Sequence, residues 1–240
     1  MKDLILFHGT DERIIKMSKA ERLSYLEKCN HVIDTVFPLF EPYLKYEILE
    51  ICRSGEMIQT NELGFAKYEH LLSEKGGPNL YSNLLEKLIM INARNHNSRL
   101  YQYNDLYLTF SKRKAMNYAC RSFAGGELGL CAYRLIQGYE ILFTEKLFQE
   151  DEFQNALTDI KEFAIEANSR PAIVTIDNVD VSCLERENGG GIEQNILEFY
   201  VSNFKGGASV RYKKDIEFQS YKVELVDEEL ANEITAEYGY

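Results

Sequence analysis

Leu4-Ile5-Leu6-Phe7-His8-Gly9-Thr10 sets four consecutive apolar residues ahead of a histidine and a glycine. A run this short, stopped by polar residues on both sides, reads as a buried strand that ends near His8. It is too short for the apolar core of a signal peptide and far too short to span a bilayer. The pattern then changes. Ser18-Lys19-Ala20-Glu21 is a capping box, with the serine capping a helix and the glutamate reaching back to it. Leu23, Leu26, Val32, Ile33, Val36 and Phe37 follow at approximately helical spacing, and Pro38 and Pro42 should end or bend that helix. A second helix is expected over Tyr43 to Cys52. Gly76-Gly77-Pro78 breaks the chain, and Asn79 is placed to cap a helix carrying Leu80, Leu84, Leu88 and Ile91. Residues 12–95 therefore read as a mainly helical insertion after the first strand.

The second half is richer in strands. Leu106-Tyr107-Leu108-Thr109 is a short strand, and Ser111 can cap a helix running through Tyr118. Leu130 to Leu142 reads as one or two strands around Gly138. Asp151 to Asn168 reads as a helix with Phe153, Leu157, Ile160 and Ala164 on one face. Pro171-Ala172-Ile173-Val174-Thr175-Ile176 is an apolar strand, and Ile196–Ser202, Ala208–Tyr212 and Phe218–Val226 are further strands. The expected fold is α+β: one domain over 1–240, a sheet core with a helical insertion.

Composition narrows the functional classes. A chain of 240 residues that is 45% hydrophobic can build a sizeable core without disulfides. The five cysteines, Cys29, Cys52, Cys120, Cys131 and Cys183, are odd in number and scattered, so they are expected to be reduced, with no metal site. No stretch reaches the roughly 18 apolar residues of a membrane span, so a soluble, cytoplasmic protein without membrane partners is expected. The net charge of −11 argues against broad binding to nucleic acid. Two local basic groups remain: Lys112, Arg113, Lys114 and Arg121, then Lys205, Arg211, Lys213 and Lys214. Each is either a solvated surface or a cradle for a pyrophosphate or an acidic partner.

Three segments carry chemistry. His8 follows the first apolar run, and a histidine there offers one ring N–H to a ligand hydroxyl while the protein holds the other nitrogen. Gly9, beside it, permits close approach to its backbone. Tyr107 and Tyr118 flank a strand-to-helix path, which can bring two aromatic faces to either side of one slot. Such a slot suits a flat cationic ring, by about 0.5–2 kcal/mol from the ring quadrupoles. Glu198 stands among apolar and aromatic neighbours in Asn195-Ile196-Leu197-Glu198-Phe199-Tyr200-Val201. A carboxylate there either faces water by strand alternation or is held for electrostatic work. Glu224, in Lys222-Val223-Glu224-Leu225, is its rival.

Taken in order, His8-Gly9-Thr10, Tyr107-x-Thr109 with Ser111, Ala115-Met116-Asn117-Tyr118, and Glu198 resemble the His-Tyr-Glu pattern of ADP-ribosyltransferases. That group contains diphtheria toxin and the poly-ADP-ribose polymerases. The resemblance covers motif segments of about 40 residues. It implies a split β-sheet core and NAD as substrate. It implies that His8 contacts a ribose hydroxyl, the Gly9 backbone bonds the nicotinamide amide, and Thr10 belongs to the same motif. It further implies that Tyr107 and Tyr118 clamp nicotinamide and that Glu198 is catalytic. Ala115 stands where poly-ADP-ribose polymerases usually carry serine, so the toxin-like branch fits better. Ile196 stands where arginine-specific relatives carry a second Glu or Gln, so guanidinium modification is disfavoured. Glu185-Arg186-Glu187-Asn188-Gly189-Gly190-Gly191 is either a flexible turn or an acceptor loop. The expected activity is transfer of ADP-ribose to a macromolecular acceptor, protein or nucleic acid, with release of nicotinamide. A toxin or anti-phage role and a regulatory or antitoxin partner follow by analogy. The alternatives are an NAD glycohydrolase, an RNA 2′-phosphotransferase and an inactive binding module.

Overall fold

A computed structural model describes residues 4–44, 69–77, 80–95, 106–121, 125–148, 154–165, 169–186, 192–193, 209–214 and 216–237. The expected helix over Tyr43–Cys52 lies almost entirely outside them. So do Asn79, Cys52, Lys205, the strand carrying Glu198, and the loop from Glu187 to Gly191. The chain divides into two compact units, one made of 1–23, 103–126 and 166–240, the other of 24–102 and 127–165.

The first unit is α+β. Its strands are β1 (Leu6–Asp11), β2 (Leu106–Thr109), β3 (Pro171–Ile176), β4 (Leu184–Arg186), β5 (Ser209–Tyr212) and β6 (Lys222–Leu225). They form an antiparallel sheet in the order β4-β5-β2-β1-β3-β6. β1 is therefore central. Its two sides differ. It pairs with β3 over its whole length, from Leu6↔Ile176 to Asp11↔Pro171, but with β2 only at Phe7↔Thr109.

His8 is not at a strand end, contrary to the sequence expectation. It is the third residue of β1, because Ile173, Ala172 and Pro171 of β3 supply partners for Gly9, Thr10 and Asp11. The strand stops at Asp11, whose side chain caps the helix α1 (Glu12–Lys16) by accepting from the Arg13 and Ile14 amides at 2.8 and 3.2 Å. The expected strand Phe218–Val226 is also shorter. Phe218–Ser220 is a 3₁₀ turn, and only Lys222–Leu225 is extended.

The helix α2 (Lys19–Phe40) begins with the expected capping box: the Ser18 amide donates to Glu21 at 2.8 Å, and the Glu21 amide donates to Ser18 Oγ at 3.3 Å. Pro38 lies inside α2, which ends at Phe40. Among the described residues the second unit is helical: most of α2, with α3 (Glu69–Gly76), α4 (Leu80–Asn95), α6 (Glu127–Thr144) and α7 (Gln154–Ile165). The strands expected over Leu130–Leu142 are instead α6. Its buried Leu128, Cys131, Leu135, Tyr139 and Leu142 recur every three or four residues, a helical period. Gly138 is a packing device and not a breaker: a Cβ there would lie 2.6 Å from Leu84 Cδ2 and 3.1 Å from Phe40 Cζ.

In the first unit, α5 (Lys112–Arg121) follows β2 directly, with Ser111 Oγ accepting from the Lys114 amide at 3.3 Å. It crosses β1 and β3, and Ala115 joins Ile173 and Val226 in a buried cluster with Phe7 and Met116. The last helix is α8 (Glu228–Glu237), whose Ala231 packs on the same cluster. Helix and strand meet backbone to backbone at Gly9. A Cβ there would overlap the Ala115 carbonyl oxygen and lie 2.9 Å from the Ala119 nitrogen. Backbone cannot swing aside as a side-chain end can. Gly9→Ala is therefore expected to destabilise the protein by about 1–3 kcal/mol, the range for overpacking. Chemical denaturation of both proteins checks this; an unchanged midpoint would mean that α5 does not lie against β1 at this point.

Candidate functional site

Alternation along β1 sorts the candidate residues. Phe7 and Gly9 face α5, so His8 and Thr10 point to the opposite face. Thr10 is 2% exposed and stands opposite Ala172. His8 is half-buried, and its Nδ1 lies 2.9 Å from the Tyr107 carbonyl oxygen. A carbonyl only accepts, so Nδ1 carries the proton and donates. This bond joins the first motif to the second across the place where β1 and β2 part.

The bond changes the expected role of the ring. A neutral imidazole with its proton on Nδ1 has a lone pair on Nε2. His8 then cannot offer a ligand hydroxyl an N–H. Its Nε2 instead can accept a hydrogen bond from a hydroxyl. Burial holds the His8 pKa below its ordinary value, outweighing the bond to the Tyr107 carbonyl, and so favours the neutral ring. The ring also stacks on Phe218, with centroids 5.3 Å apart and planes within 4°.

Tyr107 lies opposite Arg211 on β5, and Thr109 lies opposite Phe7. Opposed residues share a face, so Tyr107, two places from Thr109, belongs with Gly9 on the α5 face. Tyr118 is carried by α5 itself and is 41% exposed, with Lys114 Nζ 5.8 Å from its ring centroid. The α5 face thus holds Gly9 and both tyrosines, and His8 stands on the other face at the parting of β1 and β2. Glu198 lies outside the described residues.

The rival carboxylate is accounted for. Glu224 sits on the edge strand β6, opposite Ile173, where Lys112 of α5 and Lys222 both pair with it. These bonds hold its carboxyl below the ordinary range. The described members of the second basic group are similarly engaged. Arg211 and Lys213 pair with Glu185, and Lys214 pairs with Asp180 at 3.3 Å. Glu185 and Arg186 belong to β4 and not to a loop. Asp180 also accepts from the Ser182 hydroxyl and amide, which brings its pKa down to about 2. These cations neutralise acids of the same unit, a poor arrangement for a pyrophosphate cradle. Lys112 is likewise paired with Glu224.

Sequence reading missed Phe218 and Arg22. Arg22 lies over the Phe218 ring at 4.9 Å and donates to the Met17 and Ile216 carbonyls at 3.0 and 3.1 Å. Neither residue carries a local signal; the contact is made by chain segments almost 200 positions apart, 194 for the bond from Arg22 to Ile216. Among the described residues, no group of three or more His, Cys, Asp or Glu is arranged to hold a metal ion, and no helix is long and apolar enough to cross a membrane. No family of known proteins, no characterised protein and no solved structure matches this chain.

The His8 environment predicts a pH effect of defined sign. In the unfolded chain a histidine titrates near its ordinary value of 6.5, and in the folded chain His8 titrates lower. The unfolded state therefore takes up the proton first as pH falls. The stability associated with neutral His8 is whole above 6.5 and is lost as pH drops from there through the folded value. His8→Gln should flatten this dependence. Thermal unfolding at pH 7.5 and pH 5.5 checks it; an equal loss in both proteins would assign the acid sensitivity to other groups.

Proposed function

We propose that this chain is an NAD-dependent ADP-ribosyltransferase of the His-Tyr-Glu type, working in the cytoplasm on a macromolecular acceptor. The observation that carries the reading is the meeting of the first two motifs. His8 donates to the Tyr107 carbonyl, and Gly9 receives the helix that bears Tyr118. Segments about a hundred residues apart thus bring a hydroxyl acceptor, on one face of the sheet, and two tyrosines, on the α5 face, to the place where β1 and β2 part. Under this reading the open sheet is the core of an ADP-ribosyltransferase, parted where β1 and β2 diverge beyond Phe7↔Thr109.

The roles follow from the chemistry. Tyr107 and Tyr118 clamp the nicotinamide ring, and their quadrupoles favour its positive charge. The Gly9 backbone bonds the carboxamide. The bond from the ribose C1′ to the nicotinamide nitrogen breaks, and its electron pair neutralises the pyridinium. The positive charge that develops on the ribose resembles that of glycoside hydrolysis. Glu198 binds the ribose 2′-hydroxyl and stabilises that charge. The acceptor then bonds to C1′ and loses its proton. With Ile196 in place of a second Glu or Gln, the acceptor is a group other than guanidinium. A toxin or anti-phage effector of this kind fits a regulatory protein partner.

Glu198→Gln should keep NAD binding and lower turnover by ~10²–10³, the scale of one transition-state contact. Glu224→Gln should leave turnover unchanged, because its carboxylate already serves Lys112 and Lys222. Nicotinamide release from labelled NAD measures both. A dead Glu224→Gln beside an active Glu198→Gln would move the site to β6.

Nicotinamide release should be slow with NAD alone and faster with a lysate that supplies the acceptor, since a positioned acceptor gains effective concentration. The label should then appear on a macromolecule. Rapid release with no labelled macromolecule indicates a glycohydrolase. Binding of NAD without release under any condition indicates an inactive module.

A further inference from the structure

We propose that Phe218, braced by Arg22, is the positioning residue that keeps the His8 ring aimed with Nδ1 at the Tyr107 carbonyl and Nε2 free to accept from a ligand hydroxyl. This rests on the reading of His8 as the ribose contact. The geometry has three links. His8 and Phe218 lie nearly parallel, 4° between planes. The Arg22 guanidinium lies over the same phenyl ring. Arg22 is itself tied to the carbonyls of Met17, just before α2, and Ile216, just before the 3₁₀ turn, and it pairs with Glu217 at 3.9 Å.

The flat face matters because an imidazole has two hydrogen-bonding edges. A half-turn about its outer bond exchanges Nδ1 for a carbon in the same plane, which the bond to the carbonyl opposes; smaller turns tilt the ring out of its plane and loosen that bond. A single bond to a carbonyl does not by itself fix the plane of the ring. A parallel phenyl face does, and it also keeps water from one side of the ring. Phe218 is buried, so it is held by its own surroundings. A bulky aliphatic residue would fill the same space without presenting a plane.

Imidazole ¹⁵N spectra of the full chain test this, with the His8 signals assigned by their loss in His8→Gln. Wild-type protein should show His8 as one tautomer, protonated on Nδ1. Phe218→Tyr keeps the plane and should preserve that spectrum. Phe218→Leu should move the His8 signals toward an average of the two tautomers and weaken NAD binding by ~3–10-fold, the scale of one lost aromatic pair. Arg22→Gln leaves the core side chains in place and should shift the same signals in the same direction, which covers the case of a poorly folded Phe218→Leu. Unchanged His8 signals in the folded variants would overturn the proposal and reduce Phe218 to core packing. Shifted signals in a protein that binds no NAD would uphold the positioning role and reject the NAD reading.

Discussion

The absence of a side chain at Gly9 sets the distance between α5 and the central strand. With the Ala115 carbonyl and the Ala119 nitrogen packed where a Cβ would stand, α5 lies on β1 closer than any other residue would allow. The small Ala115 and Ala119 complete the contact from the helix side. Everything α5 carries is placed by that approach. Tyr118 lies on the next turn, and Lys112 at the helix start reaches Glu224 on the far edge strand. One glycine thus couples a strand, the tyrosine-bearing helix and the edge of the sheet.

The second constraint is the bond from His8 to the Tyr107 carbonyl. It is made where β1 and β2 no longer continue their ladder, so a side chain does the joining that backbone does elsewhere in the sheet. The cost of a half-buried imidazole is offset by the carbonyl on one edge and by the Phe218 face. The bond also decides the chemistry. It leaves Nε2 as an acceptor, suited to a sugar hydroxyl and unsuited to a phosphate oxygen.

Much of this architecture was legible in local sequence. The capping box at Ser18–Glu21, the apolar β3, the strand-to-helix passage from β2 to α5 and the helical face of α4 each have a short-range cause, and each forms. The exceptions have tertiary causes. Leu130–Leu142 reads as strands on its apolar content, which suits a core strand as well as a buried helix, while Arg134, Gln137 and Glu140, three apart, mark the helix's less buried side. The role of Gly138, making room for Leu84 and Phe40, depends on distant residues. Nothing near His8 announces that β3 pairs with β1 as far as Asp11. Of the candidate site, the sequence offers residue types and their order. The direction of the His8 hydrogen bonds, and the Phe218 and Arg22 behind them, needed three dimensions.

Under the proposed NAD reading, the nicotinamide ring lies between Tyr107 and Tyr118. Calorimetric titration with NAD, of wild-type protein and of Tyr118→Ala, tests it most directly. Tyr118 is the candidate whose removal disturbs the core least, being 41% exposed. Measurable binding to the wild type, markedly weakened in a folded Tyr118→Ala, is the predicted result. No heat with wild-type protein, or the same affinity in both, would contradict it.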